Sequence, residues 1–213
     1  MNRASFSAKL PPAKPKNVDR RAREYLTPSE VDQLIHTARK VGRYGHRDAT
    51  LILMMYRHAL RVSEVSGLRW DLIDLKMALF HVRRLKNGMP SVHPLHSPEL
   101  RALRRLKMEY PGLACVFISE RGSPLTARAI PHIILRAGEE ADLPFPVHPH
   151  MLCHACGFHL ANKGIDTRSI QHYLGHRTIQ HTVRYTELAP QRFESSFGKI
   201  DVGNMSKQSH RIN

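Results

Sequence analysis

The fold of this chain is constrained most by one short segment of strand-like sequence between long stretches with helical periodicity. Its centre is Asn87-Gly88, a dipeptide typical of two-residue hairpin turns. Strands are expected on both sides of the turn, at residues 79–83 and 91–95, with a shorter one before them at 72–75. The sequence therefore predicts a mainly α fold with a small antiparallel β-sheet, an α+β class.

Apolar spacing and end signals predict the helices around this segment. Thr27-Pro28-Ser29-Glu30 forms a capping box with Pro at the first helical position, and apolar residues at helical spacing follow it. Other helices are expected at residues 47–59, from Arg61, at 98–109, about 127–140, 151–163, 167–174 and 178–188. A short apolar strand is expected at residues 115–118.

The two ends of the chain lack this periodicity. Residues 1–25 are basic and Pro-rich, so we expect a flexible basic arm, an ordered domain over residues 26–190 and a tail over residues 191–213. No apolar run is long enough to cross a membrane, and the N-terminal residues lack the apolar stretch of a secretory signal. Three scattered cysteines fit a reducing compartment. We therefore expect a cytoplasmic protein.

Charge indicates the class of partner. The 213 residues include 33 Lys and Arg against 18 Asp and Glu, a formal net charge of +15. Such an excess favours a polyanion, because each cation placed on a phosphate releases condensed counterions. Charge alone does not identify an activity.

The densest group of reactive side chains lies in residues 147–164. At 100° per residue, His150, Cys153, His154 and Gly157 share one face of a helix. The opposite face is formed by Leu152, Ala155, Cys156, His159 and Leu160. This helix is predicted to have a polar functional face and a buried back.

Cys153-x-x-Cys156 with nearby histidines also raises the possibility of a metal or redox site. Zinc knuckles need a second ligand pair, which the sequence lacks, and no strand with an aromatic lead-in precedes the pair as in redox motifs. Cys156 is better interpreted as a small buried hydrophobe. We expect no metal.

Four segments in order, HALRVSEVSGLRW, RRLKNG, HPHMLCHACGFHLANKG and IQHYLGHRTIQHTVRYTEL, resemble the tyrosine recombinase (phage integrase) family. The resemblance covers about residues 25–192 and is strongest to the short fimbrial phase-switch recombinases, which lack a separate core-binding domain. It implies the recombinase catalytic domain fold and cleavage of one DNA strand at a time through a 3′-phosphotyrosyl intermediate, without metal, ATP or other cofactor. It also implies double-stranded DNA as partner, a homotetramer assembled on DNA and weakly associated without it, and a nucleoid location in bacteria.

The resemblance assigns roles residue by residue. Tyr185 matches the nucleophile. Tyr173 is the competing candidate, but it precedes the Leu-Gly-His motif, unlike the family's nucleophile. Arg61 matches the first phosphate-binding arginine, at the start of a helix where an anion is favoured. Glu64 resembles the acidic residue that supports the site from behind.

The remaining matches complete the site. Lys86, at the hairpin tip, matches the lysine that protonates the leaving 5′-oxygen. His150 matches the histidine of the family's HxxR motif. His176 matches the second His/Trp position, which donates to a phosphate oxygen, and His154 matches a supporting histidine.

Cys153 departs from the family pattern, which has its second catalytic arginine there. A thiol is mostly neutral at pH 7 and cannot replace a guanidinium that binds two phosphate oxygens. Losing such a donor typically costs about 10²-fold or more in rate. Arg177 and Arg184 are candidates to compensate. Two hypotheses remain: a recombinase with impaired activity, and a DNA-binding regulator that retains the fold but hardly cleaves.

Overall fold

A computed structural model describes residues 23–85 and 88–187 of the chain. The helices and strands follow the order predicted from the sequence. They are α1 Pro28–Lys40, α2 Gly45–His58, α3 Val62–Ser66, β1 Ile73–Asp74, β2 Leu79–Val82, β3 Ser91–Pro94, α4 Ser97–Glu109, α5 Ala129–Glu140, α6 Pro149–Asn162, α7 Thr167–Leu174 and α8 Gln180–Glu187. The mainly α fold with a small sheet is confirmed, with most boundaries shifted by one or two residues.

Local signals fix the helix ends as predicted. At the start of α1 the Glu30 amide donates to Thr27 Oγ1 at 3.3 Å, and the Thr27 amide donates to Glu30 Oε2 at 2.7 Å, so the capping box is complete. α7 ends at Gly175, whose φ of 67° lies in the left-handed region that glycine adopts without strain. His176 is therefore placed directly after a sharp turn of the chain.

The three strands form an antiparallel sheet in the order β1-β2-β3. Phe80 of β2 pairs with His93 of β3, and both side chains are buried. Their outward neighbours, His81 and Val92, are exposed. This alternation means that one face of the sheet packs on the helices and the other faces outward.

One predicted strand is wrong. Residues 115–118 form only isolated bridges, between Arg69 and Cys115 and between Ile118 and Pro124. Val116, Phe117 and Ile118 are buried, which explains the apolar run. A short apolar run indicates burial, but a strand also needs a partner strand along its length.

Helix α6 lies at the centre of the fold and packs against α1, α2, α5, α7 and α8. Its predicted division into a polar face and a buried back is therefore only partly correct, because Gly157 on the expected polar face is buried against Tyr185. Cys156 is buried as predicted, with 4% exposure. Among the described residues no helix has the length and apolar character needed to span a membrane.

Residues 23–25 pack on the domain, whereas the sequence placed them at the end of the arm. Tyr25 packs on Phe158 with ring centroids 4.1 Å apart, and Glu24 forms an ion pair with Arg184 of α8. Residues 1–22 of the predicted arm, Lys86, and the predicted tail lie outside the described residues.

Candidate active site

A cavity of ≈ 260 Å³ forms where the loop after α2, helix α6 and helices α7 and α8 meet. Its lining includes six of the eight predicted site residues: Arg61, His150, Cys153, His154, His176 and Tyr185. Glu64 lies beside the cavity rather than in its lining. Side chains that are far apart in the sequence, from Arg61 to Tyr185, thus lie around one cavity.

Tyr185 projects from α8 into the interior and has 2% exposure. Its hydroxyl is hydrogen-bonded to Nδ1 of His154 at 2.8 Å, and its ring packs edge-on against Phe158. Gly157 leaves the space for the ring, since a Cβ there would lie 2.8 Å from a Tyr185 ring carbon. Burial raises the pKa of the Tyr185 hydroxyl, so the phenol is protonated in this structure.

Tyr173, the competing tyrosine, has a structural setting. Its hydroxyl donates to the Arg57 carbonyl oxygen at 2.8 Å, and its ring stacks on His93 with centroids 3.8 Å apart. It is absent from the lining of the 260 Å³ cavity. The Tyr173 hydroxyl is therefore occupied by a hydrogen bond to the backbone.

Arg61 is held at the cavity edge by Glu64. The Glu64 carboxylate is buried, and its Oε2 accepts the Arg61 backbone amide at 2.9 Å. Arg61 Nη1 lies 3.5 Å from Glu64 Oε1, and the Arg61 side chain as a whole is 34% exposed. Glu64 therefore orients Arg61 while leaving part of its guanidinium open to an anion.

The histidines around the cavity differ in exposure. Burial lowers the pKa of His154 and of His176 to about 4, so both are neutral near pH 7. His176 Nδ1 is hydrogen-bonded to Thr182 Oγ1 at 2.9 Å, which leaves Nε2 as the nitrogen that can donate into the cavity. His150 is exposed at the first turn of α6.

Cys153 occupies the position of the expected arginine with an uncharged group. Its thiol donates to the Leu60 carbonyl oxygen at 3.3 Å, and burial raises the pKa of the Cys153 thiol to about 12. Arg184 lines the cavity but pairs with Glu24, and Arg177 is exposed and outside the lining. Within the described ranges, no three or more His, Cys, Asp or Glu side chains are grouped to hold a metal ion.

Sequence reasoning missed one residue behind the cavity, Arg84. Its side chain has 1% exposure and forms an ion pair with Glu64 at 3.0 Å. A signal for it was present, because the alternation along β2 continues past its end: Phe80, Val82 and Arg84 are buried, and His81 and Arg83 are exposed. The inward arginine therefore follows from the strand period.

Known proteins resemble this chain in sequence and in fold. Residues 24–192 match the Phage integrase family. The Escherichia coli (strain K12) Type 1 fimbriae regulatory protein FimE is 46% identical over 188 residues, 85% of this chain and 94% of that protein. The regulatory protein FimB of the same strain is 43% identical over 180 residues, 82% of this chain and 90% of its own.

Similarity extends to longer recombinases and to solved structures. Tyrosine recombinase XerC of Bacillus subtilis (strain 168) is 30% identical over 84% of this chain and 62% of its own length. The crystal structure of XerA recombinase superimposes with a TM-score of 0.70 at 24% identity, covering 82% of this chain and 64% of XerA. The post-cleavage complex of XerH recombinase has a TM-score of 0.69 at 20% identity, over 85% of this chain and 54% of XerH.

Proposed function

Because the chain belongs to the phage integrase family, we propose that it is a site-specific DNA recombinase of the tyrosine type, with Tyr185 as its nucleophile. The observation that supports these residue roles best is the convergence of Arg61, His150, His176 and Tyr185 on one cavity, with His154 at the nucleophile. Each is a group that phosphoryl transfer requires.

In the proposed cleavage step each group has one role. The Tyr185 oxygen attacks the scissile phosphorus, its proton passes to Nδ1 of His154, and the bond from phosphorus to the 5′-oxygen breaks. Lys86 supplies the proton of the leaving 5′-hydroxyl. The 3′-phosphotyrosyl bond retains the phosphodiester linkage, so the 5′-hydroxyl of another strand can attack it and release Tyr185.

Arg61, His150 and His176 stabilise the charge that develops on the non-bridging phosphate oxygens. Glu64 keeps Arg61 in place from behind, and Thr182 leaves Nε2 of His176 free to donate. Cys153 contributes no cation, so the cleavage step is slow compared with a site that has arginine there. The fold and the other donors remain, which supports a recombinase with reduced rate.

Double-stranded DNA is the substrate. The net charge of +15 supports this, as does the similarity to XerH, whose structure is a complex with its palindromic difH substrate. In this proposal four copies assemble on DNA at the bacterial nucleoid. The catalytic domain comprises residues 26–190, the arm of residues 1–25 adds phosphate contacts, and the tail of residues 191–213 docks on a neighbouring copy.

A covalent-adduct assay tests the proposal. Duplexes from a random-sequence pool, each with a nick in one strand, are incubated with the chain, and protein–DNA complexes that survive denaturation are recovered and sequenced. A nick traps the intermediate because the short leaving strand diffuses away. Tyr185→Phe should abolish the adduct, whereas the matched Tyr173→Phe should retain it. Survival of the adduct in Tyr185→Phe would refute the assigned nucleophile.

A further inference from the structure

In the part of the chain that the structure describes, two arginines line the 260 Å³ cavity, Arg61 and Arg184. Arg184 directly precedes the nucleophile on α8, and its guanidinium carbon lies 5.7 Å from the centre of the Tyr185 ring. Burial raises the pKa of the Tyr185 hydroxyl, and the charge of Arg184 acts against this rise. A second guanidinium therefore lies close to the nucleophile, although position 153 supplies none.

Arg184 pairs with a carboxylate from outside the cavity lining. Its Nη2 donates to Glu24 Oε2. The Arg184 and Glu24 side chains are 41% and 40% exposed. An ion pair with this exposure contributes little to stability, because water and salt screen the attraction between its charges. Another anion can therefore take the place of Glu24 at small cost.

Arg84, the buried arginine behind the cavity, differs from Arg184 in this respect. The Arg84 and Glu64 side chains are 1% and 2% exposed. The guanidinium donates, over distances between 2.7 and 3.0 Å, to Glu64 Oε2 and to the carbonyl oxygens of His58, Ala59 and Tyr173. Separating Arg84 from Glu64 would leave a buried, unpaired charge, which is strongly unfavourable. Arg84 is therefore fixed in place, whereas Arg184 can exchange its partner.

A phosphodiester is the kind of anion that the Arg184 guanidinium suits. Its N–H groups form a planar fork that binds two phosphate oxygens at once. As the Tyr185 oxygen bonds to phosphorus and the bond to the 5′-oxygen breaks, negative charge increases on the non-bridging oxygens. The Cys153 thiol supplies no positive charge there, since burial raises its pKa to about 12. A second guanidinium at the cavity would stabilise this charge.

From this geometry we infer that Arg184 is a catalytic residue, which exchanges Glu24 for the scissile phosphate and supplies the guanidinium that position 153 lacks. The inference rests on the proposed function, in which the Tyr185 oxygen attacks a DNA phosphate. Because one anion replaces another, the exchange leaves the charge of Arg184 balanced. Loss of Arg184 should therefore matter most in a chain that has cysteine at position 153.

The experiment measures single-turnover adduct formation by the full chain at saturating protein, on a site recovered by the adduct assay. Arg184→Gln should cleave at least ~10-fold more slowly than the parent chain, because it loses a donor to the developing charge. In a chain that also carries Cys153→Arg, the same substitution should change the rate by no more than ~3-fold. Arg177→Gln is the matched control, since Arg177 is exposed and outside the cavity lining, and it should cleave at the parental rate.

A purely structural role of Arg184 predicts different results. If Arg184 acted only by joining residues 23–25 to α8, Glu24→Gln would cause the same loss, since it breaks the same ion pair; we expect Glu24→Gln to stay within ~3-fold of the parent. A duplex with a methylphosphonate at the scissile position separates the two roles again, because a methyl group replaces one non-bridging oxygen and removes the negative charge. Arg184→Gln should cleave this duplex within ~3-fold of the parent chain.

A parental rate in Arg184→Gln, or an equal loss in Glu24→Gln or Arg177→Gln, would overturn the inference. So would an equal loss on the two duplexes, or an equal loss with cysteine and with arginine at position 153. If Arg184→Gln does not fold, Arg184→Lys takes its place and must slow cleavage of the phosphate duplex alone, because an ammonium lacks the planar fork. Failure of the proposed function is distinguishable, since the parent chain would then form no adduct or Tyr185→Phe would retain it.

Discussion

Replacing Cys153 with arginine should increase the rate of DNA cleavage. The thiol is neutral at pH 7 because burial raises its pKa to about 12, and it is already used as a donor to the Leu60 carbonyl oxygen. A second cavity of ≈ 470 Å³, lined by Arg61, His150 and Cys153 among others, adjoins the site and offers room for a larger side chain. A guanidinium there would lie beside Arg61, where the phosphate is expected.

The size of the gain follows from two opposing contributions. A preorganised donor to a developing oxyanion contributes about 3–4 kcal/mol to transition-state stabilisation. Repulsion between the new guanidinium and Arg61 costs about 1 kcal/mol in the partly hydrated cavity. The net gain of about 2–3 kcal/mol corresponds to a cleavage step that is faster by up to ~10²-fold. The lost Cys153–Leu60 hydrogen bond lowers the stability of the fold by about 1 kcal/mol.

The assay is single-turnover adduct formation on a nicked duplex, with DNA affinity and the thermal midpoint measured for each variant. Cys153→Ala is the matched control and should stay within ~3-fold of the parent, because it removes an uncharged group. A Cys153→Arg protein that folds and binds DNA but cleaves no faster would refute the reasoning. So would a large loss of activity in Cys153→Ala, since the thiol would then act in the reaction directly.

Three further outcomes are expected. Gly157→Ala should reduce adduct formation at least ~10-fold with DNA affinity retained, because its Cβ would lie 2.8 Å from a Tyr185 ring carbon; parental cleavage would contradict the packing. The thermal midpoint should be level between pH ~6.5 and ~8 and fall toward pH 4. Burial lowers the pKa of His93 to about 3 and of His154 and His176 to about 4, so between pH ~6.5 and ~4 these protons bind mainly to the unfolded chain. A level midpoint down to pH 5 would contradict this. Removing residues 2–22, which include six Lys and Arg, should weaken DNA binding and reduce the slope of log affinity against log salt by up to ~5; an unchanged slope would exclude arm contacts.

Much of the fold could be predicted because its elements have local signals. The capping box at Thr27 and Glu30 marks the start of α1, and Gly175 marks the end of α7, since each signal satisfies backbone groups within one turn. Residues 115–118 were misassigned because their apolar character reflects burial, which is a tertiary property. The sequence likewise does not show how many helices pack around α6, so it did not predict the burial of Gly157.

The candidate site divides in the same way. The motifs identified catalytic candidates that line the cavity, but they did not show which hydrogen bonds or ion pairs these side chains form. The bond between Tyr185 and His154 and the pairing of Arg184 with Glu24 join residues far apart in the chain. Arg84 was overlooked because charged residues are seldom buried, although the strand period placed it inward. Its acceptors, three carbonyls and a carboxylate, come from elements that only the fold brings together.

The attachment point of the covalent adduct tests the central claim most directly. The trapped complex is digested with nuclease and trypsin, and the peptide that retains a nucleotide is identified by mass spectrometry. We predict that the modified peptide contains residues 185–192 with the nucleotide on Tyr185, and that the released strand has a 5′-hydroxyl. A nucleotide on the peptide of residues 169–177, which contains Tyr173, or a strand released with a 5′-phosphate, would contradict the account.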